Sequence, residues 1–205
     1  MKPTRKPTRK LSRGIEQLEP RMVQAQFGVA WNDAMHLTMS FVPDQTAIAD
    51  LRSDLVAALD AQMPRATWEK AIFQAAQSWM QVANVNVGLS TDSGLAFGIR
   101  GSTQGDSRFG DIRIGGYRMD NSVMAVSVPP GTAAGTFAGD IFINTAAQFT
   151  PASLRATLLH EFGHALGLEH STDPLSVMFS HLNNRTQLAT SDIAAIEHFT
   201  ALGRP

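Results

Sequence analysis

The apolar positions along the chain switch between two periods, and the switches mark its elements. His36-Leu37-Thr38-Met39-Ser40-Phe41-Val42 alternates, which predicts a first strand closed by Pro43-Asp44. Ile48, Leu51, Leu55, Val56 and Leu59 recur at helical spacing and predict a helix that Pro64 ends. Trp68, Ile72, Phe73, Ala76, Trp79 and Val82 form a second amphipathic stripe, whose aromatics are core material. From 84 to 144 the period falls to two. Val85, Val87 and Leu89, then Leu95, Phe97 and Ile99, then the pairs Ile112/Ile114, Val126/Val128 and Ile141/Ile143 predict successive short strands. Gly, Asp, Ser and Asn separate them, as turns require. Helical spacing returns at Thr150-Pro151, an N-cap followed by proline at the first helical position. It runs through Leu154, Leu158, Leu159, Phe162 and Leu166 and stops at Gly167. A last helix begins near Thr190-Ser191-Asp192, carries Ile193, Ile196 and Phe199, and stops at Gly203. The order predicts an α+β domain, one sheet packed by helices.

Composition divides this picture at one point. The 205 residues suit one domain with a short extension, and 43% apolar and 17% charged residues are ordinary for a globular chain. Seven of the 17 basic residues precede position 26, with only Glu16 and Glu19 to offset them. Residues 1–25 therefore read as a basic leader or disordered tail, and 26–205 as the folded domain. The tail is similar to leaders of some exported or surface-associated bacterial proteins, through Leu18-Glu19-Pro20-Arg21, although it lacks the apolar core of a secretory signal. This implies an extracellular or cell-surface location. The body is left acidic, which excludes a basic nucleic-acid-binding face. The absence of cysteine excludes thiol nucleophiles, thiolate metal sites and disulfides. No apolar run approaches the ~20 residues that span a bilayer. A monomer is the default expectation.

The chemistry concentrates in His160-Glu161-Phe162-Gly163-His164-Ala165-Leu166-Gly167-Leu168-Glu169-His170. Residues four apart share a helix face, so His160 and His164 can present imidazoles to one ion. Glu161 is turned about 100° around the axis, too far to ligate beside them but within reach of a water on the same ion. Gly167 can take a positive φ, end the helix and turn the chain, which brings His170 back as a third nitrogen ligand. Three protein ligands with one open position are the arrangement of a catalytic zinc. Glu161 is then the expected general base for a water attacking a carbonyl, and the donor of that proton to the leaving amine.

This extended motif resembles that of the metzincin metallopeptidases, and Ser171 after the third histidine points to the matrixin branch, in a bacterial form. The family needs a methionine in a tight turn below the metal, and Ser176-Val177-Met178 supplies it, eight residues beyond His170. Residues 31–41, the 68–79 helix, Gly110-Asp111-Ile112-Arg113-Ile114, Gly139-Asp140-Ile141-Phe142-Ile143-Asn144 and Asp192-Ile193-Ala194-Ala195-Ile196 are similar to matrixin segments, so the likeness spans roughly residues 31–203. It implies a zinc metalloendopeptidase acting on peptides or proteins. The implied fold is a twisted, mixed five-stranded sheet with an active-site helix and a C-terminal helix. It also implies that substrate pairs with the edge strand, here residues 123–129, by strand addition. Ala156, one helical turn before His160, is expected beside the metal. Its small side chain predicts a deep apolar pocket that takes Leu, Met or Phe after the scissile bond.

The chain also departs from the matrixin pattern. Where matrixins carry histidines for a second, structural zinc, it has Val126, Phe142 and Gln104, and Asn144 replaces a usual Asp. One catalytic zinc and no structural zinc are therefore expected. Ca²⁺ has candidate carboxylates in Asp106, Asp111 and Asp140, each also an ordinary turn or strand-end acid. No cysteine can cap the metal, which leaves Glu16 or Glu19 as the only leader acids for that role. Phe179-Ser180-His181 replaces the usual wall after the methionine turn, with His181 read as a loop residue, and His36 and His198 lack a motif context. The competing reading is a zinc-bound but inactive recognition domain. A further variant is an enzyme that cleaves its own leader.

Overall fold

A computed structural model describes residues 30–131, 133–181 and 184–202. The leader, with Glu16 and Glu19, the first residues of the domain and Gly203 lie outside the described residues. A 3-10 turn, Ala34–His36, leads into β1, Leu37–Phe41. A small hairpin follows, β2 (Ala47–Ile48) and β3 (Leu51–Arg52), then α1 (Leu55–Asp60) and α2 (Arg65–Met80). The sheet continues with β4 (Val87–Leu89), β5 (Ile112–Tyr117), β6 (Ala125–Ser127) and β7 (Ile141–Asn144), before α3 (Pro151–Ala165) and α4 (Thr190–Leu202). The strand order is β4-β1-β5-β7-β6. The first four run parallel, and β6 lies antiparallel to β7 at the edge. This is the α+β domain that the pattern predicts, and its mixed five-stranded sheet is the one the resemblance implies.

The central strands read apolar because both faces are covered. On β7, Ile141 and Ile143 enter the main core with Trp68, Trp79, Leu158 and Phe162, while Phe142 points the other way into a smaller cluster with Val42, Ile48 and Phe97. α2 and α3 cover the main face. All three tryptophans are buried with their N–H groups engaged: Trp31 donates to Ala165 O (2.9 Å), Trp79 to Leu159 O (2.9 Å) and Trp68 to Asp60 Oδ1 (2.8 Å). Among the described residues no helix is long and apolar enough to cross a membrane.

Two expected elements differ. The helical run from Ile48 is half hairpin: Ala49 adopts φ 50°, the chain reverses, and the helix begins only at Leu55. Asp44 fixes that start from a distance, its two carboxylate oxygens accepting the Val56 and Ala57 N–H groups at 2.9 Å each. Leu95, Phe97 and Ile99 form no strand. The carbonyls of Leu95 and Ala96 instead accept from the buried Arg113 guanidinium, at 2.7 and 3.4 Å. Arg113 also makes a two-pronged bond to Asp92 (2.9 and 2.8 Å) and lies between the rings of Phe97 and Phe109, at 4.3 and 4.4 Å from their centroids. A buried cation has taken the backbone acceptors that a strand partner would use.

Candidate metal centre and its surroundings

Helix α3 is anchored at both ends. Thr150 Oγ1 accepts the Ser153 N–H at 3.1 Å and Ser153 Oγ accepts the Thr150 N–H at 2.9 Å, a capping box with a serine in the acid's place. At the other end Gly167 has φ 106°, a region only glycine enters easily, and Leu168 N–H bonds back to Gly163 O at 2.9 Å. The reversal aims Leu168 O at His164 Nδ1, 2.7 Å away. It also returns the chain so that ligand-type atoms of His160, His164 and His170 lie within 4.8 Å of one another.

The methionine turn closes beneath. Ser171 N–H donates to Met178 O at 2.7 Å, and Val177 O accepts from His160 Nδ1 at 2.7 Å. Met178 is buried against the helix at Gly163, where an added Cβ would stand 2.2 Å from its Sδ and 3.0 Å from Trp79 Cζ2. Asp192, in the first turn of α4, organises this turn. Its Oδ2 accepts the N–H groups of Val177 (3.0 Å) and Ala189 (2.7 Å), and its Oδ1 accepts the Ser176 hydroxyl, which in turn accepts the Met178 N–H at 2.8 Å.

The electrostatics follow from these bonds. A carbonyl can only accept, so His160 and His164 carry their ring protons on Nδ1 and present bare Nε2 atoms. Those two atoms face each other at 3.1 Å. Burial lowers the pKa of all three histidines, His164 to about 3 with further depression from His160 and His170, so the rings are neutral at pH 7. Two lone pairs at that separation repel unless a cation lies between them. Two nitrogens on a tetrahedral zinc, each about 2.0–2.1 Å from it, stand about 3.3 Å apart. The donor set fits that ion.

Glu161 is buried beside the triad, and burial pushes its carboxyl up to about 7 against the opposing pull of one hydrogen bond. The donor of that bond is Ser127 on the edge strand, Oγ to Oε2 at 2.6 Å. The sequence pattern passes over Ser127 and Asp192 as site residues. The signals were a polar residue on the inward face of an apolar strand and an acid three residues into a helix. Ala156 is buried one turn before His160.

Other expected groups do not meet. Asp106 pairs with Arg108 (2.6 Å), Asp111 accepts from Thr38 and Gly105, and Asp140 Oδ1 accepts the Arg113 N–H. Val126 is exposed opposite Phe142, and Gln104 bonds both backbone groups of Asp33. Asn144 accepts from Met119 and Ala146 and donates to Asp120 O and Val123 O, a set that an aspartate, having no donor, cannot make. His36 pairs with Asp33, His198 is exposed, and exposed His181 stands near enough to His170 to depress its pKa.

Residues 53–200 match the family profile described as Matrixin. Among curated proteins, the probable matrix metalloproteinase 095L of Invertebrate iridescent virus 3 is 36% identical over 84 residues, 37% of this chain. The match covers 22% of that protein, so the chain spans about a fifth of the relative's length.

Proposed function

The chain belongs to the matrixin family, and on that premise we propose that it is a zinc-dependent endopeptidase, with His160, His164 and His170 holding a single catalytic ion. The observation that carries the reading is the pair of neutral imidazoles with their bare Nε2 atoms 3.1 Å apart, an arrangement that calls for a cation. Bound there, zinc supplies Lewis acidity: a water of pKa near 7 and a polarised substrate carbonyl. The protein's own groups do the rest. Val177 O and Leu168 O hold two of the rings in the ligating tautomer. Glu161 accepts a proton from the attacking water and passes it to the leaving amine.

Substrate binding follows from the sheet edge and the helix. Among the described residues β6 pairs on one side only, with β7, and its other side offers backbone donors and acceptors to an extended peptide. Ala156 leaves room beside the triad for Leu, Met or Phe after the scissile bond. Among the described residues Val126 and Phe142 offer a second ion no side-chain donor, and Gln104 is engaged by the backbone of Asp33.

The test is hydrolysis of a fluorogenic peptide library by zinc-loaded protein. We expect one zinc per chain, loss of activity on chelation and its return with added zinc. Glu161→Ala is expected to lose 10²–10⁴-fold in kcat while still binding the ion. Bound zinc with no turnover of any peptide would establish the recognition-domain alternative.

A further inference from the structure

The edge strand and the buried acid meet at one residue. On either side of β6, Met124 O accepts from Asn144 N at 2.9 Å and Val128 N donates to Asp140 O at 2.9 Å, so alternate residues turn their main-chain groups toward β7. Ala125 and Ser127 lie between them and turn theirs to the open edge. Side chains alternate as well: Val126 faces outward beside Phe142, whereas Ser127 pairs with Ile141 on the face that packs on α3. Ser127 thus offers its backbone outward and its hydroxyl inward, to Glu161 Oε2 at 2.6 Å. Among the described residues that hydroxyl is the only protein group bonded to the Glu161 carboxylate, and Oε1 receives no hydrogen bond.

We propose that Ser127 is a positioning residue for this chemistry. Its hydroxyl pins one oxygen of Glu161 and leaves the other free to handle the proton, while its main chain sits on the edge where the peptide docks. A glutamate has three freely rotating side-chain bonds, and misplacement of a proton carrier by about an ångström is enough to slow a reaction strongly. The single hydroxyl therefore sets the register between base and scissile bond. The inference rests on the endopeptidase reading above.

The experiment compares zinc-loaded wild type with Ser127→Ala, Ser127→Thr and Glu161→Ala. Ser127→Ala is expected to lower kcat about tenfold with KM within about twofold of wild type, the mark of an interaction that matters in the transition state. Zinc affinity, by competition with a chromogenic chelator, and melting temperature are expected to match wild type. Ser127→Thr, which keeps the hydroxyl and suits a strand, is expected to recover most of the lost rate. Wild-type kcat in Ser127→Ala beside an inactive Glu161→Ala overturns the role of Ser127 alone. A loss of zinc affinity or melting temperature in Ser127→Ala, or no rescue by threonine, also overturns it in favour of a packing role. A wild type that cleaves nothing removes the endopeptidase reading, and this inference with it.

Discussion

Asp192 shows how much of the candidate metal site rests on residues outside the histidine triad. Its two oxygens take the Ser176 hydroxyl and the N–H groups of Val177 and Ala189, and Val177 in turn orients His160. Truncation in Asp192→Ala takes the acceptor away from the N–H groups of buried Val177 and half-buried Ala189. The expected cost is about 2–4 kcal/mol by urea denaturation. A drop of about tenfold in zinc affinity, read by chelator competition, is expected with it, because His160 loses its fixed carbonyl. The three histidines themselves were legible from spacing alone, since four residues make a helical turn and glycine permits the reversal. Their supports were not. Val177 and Leu168 act through main-chain carbonyls, which every residue has, and so leave no trace in composition.

Among the elements, α3 is packed at Gly163 too closely to admit added bulk. Alanine in place of a helical glycine ordinarily gains about 1 kcal/mol. At Gly163 the new methyl would stand 2.2 Å from Met178 Sδ and 3.0 Å from Trp79, both buried, so overpacking of about 1–3 kcal/mol opposes the gain. We expect Gly163→Ala to be less stable than wild type in urea despite its better helix propensity. The same contrast between local preference and surroundings explains the elements that periodicity misjudged. Ile48, Leu51 and Leu55 sit at helical intervals, yet the first two belong to a hairpin set by the turn at Ala49. Phe97 alternates like a strand residue, but its neighbours' carbonyls answer to Arg113, sixteen or more positions away. A one-dimensional pattern carries no information about such a partner.

For the molecule as a whole, a sheet with two apolar faces surrounds a buried polar seam of Arg113, Asp92 and Asp140. Burial raises the Asp140 carboxyl well above its usual range, outweighing the Arg113 N–H that accompanies it, and its Oδ2 finds no partner among the described residues. In the unfolded chain the group titrates near 3.9. Between that value and its higher folded pKa the native state holds a proton that the unfolded state has released. Stability therefore falls as pH rises through this window. Asp140→Asn removes the titration, so its stability relative to wild type should increase with pH above about 4 and level off once the folded carboxyl has ionised. Paired urea titrations across pH check this, and a constant difference would contradict it. The overall architecture was legible because the changes of period follow the layers. The seam was not, because its members are scattered along the chain from 92 to 140.

The two indoles that bond to α3 give the protein a built-in optical signal. Trp79 donates to the carbonyl just before His160 and Trp31 to the carbonyl just after His164, so they bracket the imidazole pair. With only three tryptophans in the chain, all buried, intrinsic emission is weighted toward this helix. Arrival of an ion, or loosening of the helix from its neighbours, is expected to change the colour or intensity of that emission without any label.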